Sequence, residues 1–281
     1  METMKCCDLH VHSDHSDGTC STTQLLELAE KAGLSAIALT DHNSVSGLPE
    51  IMAAETTVEV IPGTEFSTEF EGAELHILGL FIEPEYYEVV TDRAEQYMRD
   101  KEQSNIDLCK ALTAGGYPLD YDKIKAATAD GFVNRGVIGA EMVRLGYIES
   151  IRHGFKTLLN EKQGFYVPPK RPDALEIIRF IKSIGAVAVL AHPFLSMELP
   201  QLEQFLPLAV EAGLDGMEVL YSKNSEEETK ASFELIEKYG ILPSGGSDFH
   251  GENKPDIDIG TGRGDLKIPF SWVNQLKLKK L

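Results

Sequence analysis

The sequence predicts an α/β fold, specifically a distorted (β/α)7 barrel with an inserted helical subdomain. Three observations predict it: amphipathic helices alternate with short buried strands, most of these helices end at a glycine, and histidines or carboxylates follow the strands. The chain has 281 residues. This length suits one barrel of roughly 250 residues that carries an insertion.

Four helix–strand pairs establish the alternation. The helices are 22–32, 174–184, 200–212 and 226–239, and the strands that follow them are 36–39, 186–190, 216–220 and 241–243. The first helix opens with a capping box, Ser21 and Gln24, and stops at Gly33. Further strands are predicted at 6–9, 58–61 and 75–80, which makes about seven in all. Because this alternation is typical of a parallel sheet, we expect a barrel with its active site at the carboxyl ends of the strands.

The alternation is interrupted between the two halves of the barrel. We therefore assign residues 1–84 and 171–281 to the barrel and residues 85–170 to an inserted helical subdomain. Its predicted helices are 86–114, 120–129, 134–145 and 150–160. The insertion is a candidate lid over the barrel mouth. A purely structural insertion is the alternative.

The charge of the chain restricts its partners. With 45 acidic and 26 basic side chains, the formal net charge is −19. A negatively charged surface repels duplex nucleic acid, because proteins that bind duplexes normally do so through a broad basic surface. A small anion held by metals and a few local cations remains compatible. A role in solubility alone is the alternative explanation of the acidity.

Two further features of the sequence suggest a cytoplasmic protein. No apolar run approaches the ~20 residues of a membrane helix, and the N-terminus lacks a signal-peptide pattern. The four cysteines, Cys6, Cys7, Cys20 and Cys109, have neither disulfide-scaffold nor zinc-ribbon spacing. We expect no membrane partner and a reducing compartment.

Histidines and carboxylates next to the predicted strands indicate a multinuclear metal site. Imidazole is the commonest protein ligand for transition metals, and six of the eight histidines belong to this set. The candidate ligands are His10, His12, Asp17, His42, Glu65, His76, His192, Asp248 and His250. A single histidine is more often structural, but the joint pattern favours ligands. Mixed imidazole and carboxylate ligands suit manganese, iron or zinc.

The motifs resemble those of the PHP (polymerase and histidinol phosphatase) family of metal-dependent phosphoesterases. The matching stretches are Asp8-Leu9-His10-Val11-His12-Ser13, Ser16-Asp17-Gly18-Thr19, Thr40-Asp41-His42, Gly63-Thr64-Glu65, Ala191-His192-Pro193 and Gly246-Ser247-Asp248-Phe249-His250. The resemblance spans residues 5–82 and 165–262. It implies a distorted seven-stranded barrel with two or three divalent metal ions.

The resemblance also implies how the ligands are shared among the ions. His10, His12, Glu65 and Asp248 would bind the first ion. Glu65, His76 and His192 would bind the second, and Asp17, His42 and His250 the third. The implied reaction is attack on a phosphate ester by hydroxide that bridges the pair of metals linked by Glu65. Glu65, His192, Asp248 and Arg135 are the predicted catalytic residues.

Within the family, the helical insertion is similar to that of enzymes that hydrolyse nucleoside 3′,5′-bisphosphates. That group usually carries an Arg-Pro-His-like stretch in the insertion, whereas this chain has Asn134-Arg135-Gly136-Val137. The resemblance implies a small phosphorylated substrate, most simply a nucleotide that loses its 3′-phosphate. The predicted substrate-binding residues are Ser13, Arg135, Lys170, Arg171 and Tyr221.

Four other functions are compatible with the same residues. One is a phosphomonoesterase of histidinol-phosphate type, and another is an exonuclease for short 5′-phosphorylated oligonucleotides. A third, outside the enzymes, is a degenerate metal-binding regulatory module, although complete ligand sets argue against it. The fourth is amide hydrolysis on an amidohydrolase-like barrel, since no motif distinguishes C–N from P–O substrates on physical grounds.

Overall fold

The structure is a computed structural model that describes residues 4–128, 133–163 and 165–280. The chain divides into two compact units. The first, here called the barrel unit, comprises Met1–Ala94 and Arg171–Leu281, and the second, the helical unit, comprises Glu95–Lys170.

Eight strands form one sheet in the barrel unit, in the order β7-β6-β5-β4-β3-β2-β1-β8. Their bounds are β1 Cys6–Val11, β2 Ala36–Leu39, β3 Glu59–Phe70, β4 Ala73–Leu80, β5 Val187–Leu190, β6 Gly216–Tyr221, β7 Leu242–Gly246 and β8 Ile268–Pro269. The sheet is nearly closed where β1 meets the segment after β7. There the Asp248 N–H donates to the His10 carbonyl at 2.9 Å, and the His12 N–H donates to the Phe249 carbonyl at 3.0 Å. The predicted distorted barrel is confirmed.

The helices of the described chain alternate with these strands in the barrel unit and follow one another in the insertion. Their bounds are α1 Thr22–Lys31, α2 Leu48–Ala53, α3 Tyr87–Ala114, α4 Tyr121–Ala127, α5 Arg135–Arg144, α6 Ile151–Lys156, α7 Ala174–Ser183, α8 Leu199–Ala212, α9 Glu226–Tyr239 and α10 Ser271–Lys277. None of the helices in the part of the chain that the structure describes is both long and apolar enough to cross a membrane.

The helix ends follow the chemistry that the sequence indicates. Ser21 caps α1, because the Gln24 N–H donates to its hydroxyl at 3.3 Å and its own N–H donates to the Gln24 side chain at 2.9 Å. Gly240 ends α9 in the left-handed region, with φ +67°. On α7, Ile177, Ile178 and Ile181 are fully buried. Their spacing places them on the one helix face that faces the core.

Strand β4 corrects the prediction of a wholly parallel sheet. It is antiparallel to both neighbours, with Ser67 opposite His76 on one side and Ile77 opposite Leu190 on the other. The hairpin turn is Glu71-Gly72, where both residues have positive φ, as a type I′ turn requires. His76 therefore lies in the first half of its strand, toward the end of the barrel at which the parallel strands have their carboxyl ends. Strand β8 and helices α2 and α10 were not predicted.

Gly246, the last residue of β7, allows that strand to pass close to β1. A Cβ atom built on Gly246 would lie 2.1 Å from the Cβ of His10 and 2.8 Å from Oε1 of Glu218. These distances are too short for any side chain, so glycine is required by the close approach of His10 and Glu218 rather than by its φ angle.

Gly246→Ala is therefore expected to destabilise the fold by about 1–3 kcal/mol or more, since overpacking a rigid core has that cost. Urea unfolding measures it. Gly79→Ala in β4 is the matched control, because its Cβ would have no neighbour closer than 3.4 Å. Equal midpoints for the two variants would contradict this account of the β1–β7 contact.

Candidate metal centre

All nine predicted ligands converge at one end of the barrel. Side-chain atoms within 4.8 Å of one another form four overlapping groups. The groups are His12, Asp17, His42 and His250; His10, Glu65 and His192; His10, His12 and Asp248; and His42, Glu65 and His76. Segments as distant in sequence as β1 and the loop after β7 thus contribute to the same cluster, as parallel strands of a barrel allow.

The carboxylate of Glu65, on β3, is the centre of the cluster. Its side chain is completely buried, and five imidazoles surround its two oxygens. The facing ring nitrogens belong to His10 at 3.1 Å, His12 at 3.2 Å, His42 at 3.1 Å, His76 at 2.7 Å and His192 at 3.0 Å. A carboxylate placed in this way can present one oxygen to each of two ions.

Two more carboxylates border the cluster. Asp248 Oδ1 lies 3.5 Å from His12 Nε2 and 3.4 Å from His250 Nδ1. Asp17 Oδ1 lies 3.2 Å from His250 Nε2, and Asp17 Oδ2 lies 3.9 Å from His42 Nε2. His12 therefore lies between Glu65 and Asp248, and His42 lies between Glu65 and Asp17. His250 lies between the two aspartates.

The cluster shifts the pKa values of its members strongly. Burial would lower the pKa of His12, but the neighbouring carboxylates of Asp248 and Glu65 outweigh it and raise that pKa to about 9. Burial lowers the pKa of His42 to about 3, in spite of the attraction of Glu65. Burial opposes ionisation of Glu65 too, yet the charges of His10 and the other imidazoles hold its pKa well below the usual range. A cation that displaces the proton of His12 must bind more weakly as the pH falls.

The donor set fits divalent metal ions. Four buried atoms of the cluster lack a hydrogen-bond partner among the residues that the structure describes: His12 Nδ1, His42 Nδ1, Asp17 Oδ1 and Glu65 Oε2. Buried polar atoms are normally satisfied, since each orphan costs roughly 1–3 kcal/mol. Atoms that bind one ion at about 2.0–2.2 Å lie about 3.0–3.5 Å apart. His10 Nε2 and His12 Nε2 are 3.0 Å apart, so the spacing matches.

Glu218, in the middle of β6, is a functional candidate that the sequence reasoning missed. Its side chain is fully buried. One carboxylate oxygen accepts from His10 Nδ1 at 3.0 Å, and the other accepts from the His192 backbone N–H at 2.7 Å. Such a contact fixes the ring of a ligand histidine and the tautomer it adopts. The signal in the sequence was a single acidic residue within the apolar strand Gly216–Tyr221, because a buried charge has to be paired.

Glu218→Gln should therefore weaken metal binding by about 10–100-fold, the usual cost of losing such a partner. Glutamine has one acceptor oxygen, so it can serve His10 or the His192 N–H but not both. Metal titration of the chelated protein measures the affinity. Glu226→Gln, at an exposed position on α9, is the control, and equal affinities of the two variants would rule out the positioning role.

Asp248 and His192 have strained backbones. Their φ angles are +58° and +26°, a region that costs a residue with a side chain on the order of 1–3 kcal/mol. Asp248 is also held by other groups: Tyr221 donates its hydroxyl to Oδ2 at 2.8 Å, and the Lys254 ammonium lies 2.6 Å from the same oxygen. Oδ1 is thereby left facing the imidazoles.

The three predicted substrate-binding residues of the barrel unit have defined partners, and that of Tyr221 is Asp248, as described above. Ser13 is buried, and its hydroxyl donates to Asp41 at 2.7 Å. Its placement thus makes it a support for Asp41 rather than a group that faces substrate. Arg171 donates to Glu74 Oε2 at 2.7 Å, and Glu74 Oε1 lies 3.4 Å from His76 Nε2. Arg171 is therefore linked to the cluster through one carboxylate.

The other two predicted residues lie in the helical unit. Arg135 begins α5, and its guanidinium donates to the Leu159 carbonyl at 3.2 Å. It also lies over the rings of Tyr166 at 4.1 Å and Phe155 at 5.2 Å. Lys170 is exposed. Their roles toward substrate remain predictions.

Comparisons with known proteins agree with this chemistry. The model of the PHP domain matches residues 8–142. A protein of Haemophilus influenzae named 5′-3′ exoribonuclease is 30% identical over 246 residues, which cover 86% of this chain and 89% of the relative. The 3′,5′-nucleoside bisphosphate phosphatase of Chromobacterium violaceum is 25% identical over 257 residues, with 90% of each chain covered.

A solved structure has the same fold. It belongs to a Bifidobacterium adolescentis protein assigned to the metal-dependent phosphoesterases, and it superposes with a TM-score of 0.82 at 25% identity. The match covers 99% of this chain and 97% of the other. The similarity thus extends over the barrel and the insertion alike.

Proposed function

This chain belongs to the PHP family and is a metal-dependent phosphoesterase, and from that premise we propose that it cleaves the 3′-phosphate ester of a 5′-phosphorylated nucleoside. The first candidate substrate is a nucleoside 3′,5′-bisphosphate. The observation that carries the proposal is the cluster of six imidazoles and three carboxylates at the barrel mouth. The proposed ligand sharing is the one stated above, with His10, His12, Glu65 and Asp248 around the first ion.

The relatives of Haemophilus influenzae and Chromobacterium violaceum are named as an exoribonuclease and a bisphosphate phosphatase. If the phosphatase removes the 3′-phosphate, both enzymes break the same kind of bond. Water adds to phosphorus, the P–O3′ bond breaks, and a nucleoside 5′-phosphate leaves with a free 3′-hydroxyl. In a bisphosphate the other product is inorganic phosphate. In an oligonucleotide the other product is the shortened chain, which keeps a 5′-phosphate. The two substrates differ only in what is attached to the scissile phosphorus.

In that reaction the side chains of this protein would hold the metal ions, orient the metal ligands and bind the phosphoryl oxygens of the substrate. When bound, divalent ions would neutralise the phosphoryl oxygens and make water more acidic. Glu65 presents an oxygen to each side of the cluster. Glu218 keeps His10 oriented, and Tyr221 with Lys254 holds Asp248. Arg135 remains the proposed guanidinium for phosphoryl oxygens, for which its geometry is suited.

Short 5′-phosphorylated RNA is the second candidate substrate. It is favoured by the 30% identity to the Haemophilus influenzae exoribonuclease over most of both chains, a higher identity than that to the bisphosphate phosphatase. Duplex nucleic acid remains excluded from the proposal because the chain carries a net charge of −19.

The proposal is tested by product analysis. The protein is loaded with manganese, iron or zinc and is given adenosine 3′,5′-bisphosphate and, separately, histidinol phosphate. We expect adenosine 5′-phosphate and inorganic phosphate from the first substrate, with kcat/KM at least about 100-fold above that for the second, a difference of roughly 2.7 kcal/mol. Preference for histidinol phosphate, or release of the 5′-phosphate instead, would refute it. Inactivity with every metal would favour a regulatory metal-binding module.

A further inference from the structure

A cavity of about 720 Å³ lies in the barrel unit next to the metal cluster. It is lined by the end of β6 and the residues that follow it, by the first half of α9, and by Arg263 and residues 265–267. Its volume is in the range of sites that enclose whole small molecules, roughly 300–1,000 Å³, and is far larger than one phosphate group. None of the metal-ligand candidates lines it.

The inner end of the cavity is joined to the metal cluster by direct contacts. Tyr221 lines the cavity, and its hydroxyl donates to Asp248 Oδ2 at 2.8 Å. Ser222, the next lining residue, donates its hydroxyl to the Ser247 carbonyl at 2.7 Å. The cavity therefore lies one side chain away from Asp248, a candidate metal ligand.

The cavity is basic in an acidic protein. Its lining includes the four cations Lys223, Lys230, Arg263 and Lys267 but only the two carboxylates Glu226 and Asp265. The whole chain, in contrast, has a net charge of −19. This local reversal of sign favours an anionic occupant.

Two of these cations are available to an incoming anion. Within the described ranges, the ammonium groups of Lys223 and Lys267 have neither an ion pair nor a hydrogen bond, and both residues are exposed. Partial burial lowers the pKa of Lys223 and the charge of Lys254 lowers it further, while the charges of Asp248 and Asp256 act in the opposite direction. Lys254 in turn contacts Asp248 at 2.6 Å, so cations continue from the metal cluster into the cavity.

The cavity also offers a face for a base. Phe233, on α9, is 41% exposed although it is a large aromatic residue. Its ring packs edge-on against Trp272, with 6.3 Å between ring centroids, and this contact restrains its orientation. It follows the helix cap at Ser225 by eight residues, which corresponds to about 12 Å of helical rise. Exposed aromatic rings beside cations are the usual elements of single-strand binding.

We propose that this cavity is a subsite for single-stranded RNA downstream of the scissile phosphate, in which Lys223 and Lys267 bind backbone phosphates and Phe233 stacks with a base. The inference rests on the proposed function and extends it. A nucleoside bisphosphate has no group that reaches this subsite, whereas an oligonucleotide does. The site thus identifies a short 5′-phosphorylated strand as the larger substrate that the enzyme accommodates.

The test compares two substrates of the metal-loaded enzyme, a 5′-phosphorylated RNA pentamer and adenosine 3′,5′-bisphosphate. The variants are Lys223→Ala with Lys267→Ala, and Phe233→Ala. Each is expected to lower kcat/KM for the pentamer by about tenfold or more, mainly through KM, because stacking and phosphate contacts are lost. Values for the bisphosphate should stay within about twofold, since the subsite binds only what lies beyond the first nucleotide.

The matched control is Lys238→Ala with Lys277→Ala. It also removes two positive charges, but from exposed lysines that lie outside the cavity and pair with Glu203 and Glu59. Binding of a non-hydrolysable pentamer, with CH2 in place of the scissile 3′ oxygen, gives a readout independent of turnover. Loss of two phosphate contacts should reduce the slope of log K against log salt by about 1.4, and the control should leave that slope unchanged.

The outcomes separate the two proposals. The subsite would be overturned if the cavity variants lowered kcat/KM equally for the pentamer and the bisphosphate. It would also be overturned if the cavity and control variants had equal effects, or if neither had any effect. A wild-type enzyme that turns over the bisphosphate but neither cleaves nor binds the pentamer would overturn it as well, and the proposed function would then stand. A changed salt slope without any turnover of the bisphosphate would instead support the subsite and refute the proposed function.

Discussion

Replacing Glu65 by glutamine is expected to remove bound metal and turnover together. The glutamine side chain is neutral and keeps a single acceptor oxygen, whereas the carboxylate faces five imidazoles with both of its oxygens. Loss of an outer partner of a metal ligand costs about 10–100-fold. For a ligand shared by two ions we expect a fall in kcat/KM of at least about 1,000-fold. Elemental analysis and phosphate release measure the two effects.

Glu59→Gln is the control for this experiment. Glu59 begins the same strand, and its carboxylate pairs with Lys277 at 3.3 Å at the surface. We expect it to keep full metal content and activity. A Glu65→Gln enzyme that holds its metal and remains active would show that Glu65 is a structural carboxylate.

Chelation should both inactivate and destabilise the protein. The cluster contains buried atoms without a hydrogen-bond partner among the described residues, for example His12 Nδ1 and Glu65 Oε2, and bound cations would satisfy them. A free metal concentration of about 1,000 times Kd raises the free energy of unfolding by about 4 kcal/mol. In a domain of this size, each kcal/mol shifts Tm by roughly 2–4 °C, so Tm should fall by about 10 °C. Activity should fall to background.

Thermal unfolding with and without a chelator, followed by addition of manganese, iron or zinc, measures both effects. Recovery of Tm and of phosphate release with the same metal would connect stability to the catalytic site. An unchanged Tm after verified removal of metal would mean that the cluster is stable as a purely hydrogen-bonded network.

Local signals in the sequence were sufficient for most of the barrel. Ser21 and Gly33 marked the ends of α1 because capping chemistry acts within a few residues. Six histidines stood next to apolar runs, and the strand ends of a barrel meet at one mouth. For that reason their convergence could be predicted without any knowledge of contacts.

The features that the sequence did not indicate depend on pairing between distant segments. The direction of β4 is set by the two-residue turn Glu71-Gly72. Glu218 acquires its role only when β6 lies next to His10 and His192. Likewise, Ser13 seemed free for substrate until the fold placed Asp41 within 2.7 Å of its hydroxyl. Contacts of this kind require the register of the sheet.

The most direct test of the metal centre is a crystal structure of the metal-loaded protein, with anomalous scattering recorded at the absorption edge of the bound metal. The account predicts at least two anomalous peaks at the barrel mouth, about 3.5–4 Å apart, with Glu65 between them and histidine nitrogens at about 2.0–2.2 Å. A fully loaded protein whose metal peaks all lie elsewhere, with Glu65 still hydrogen-bonded to the imidazoles, would contradict it.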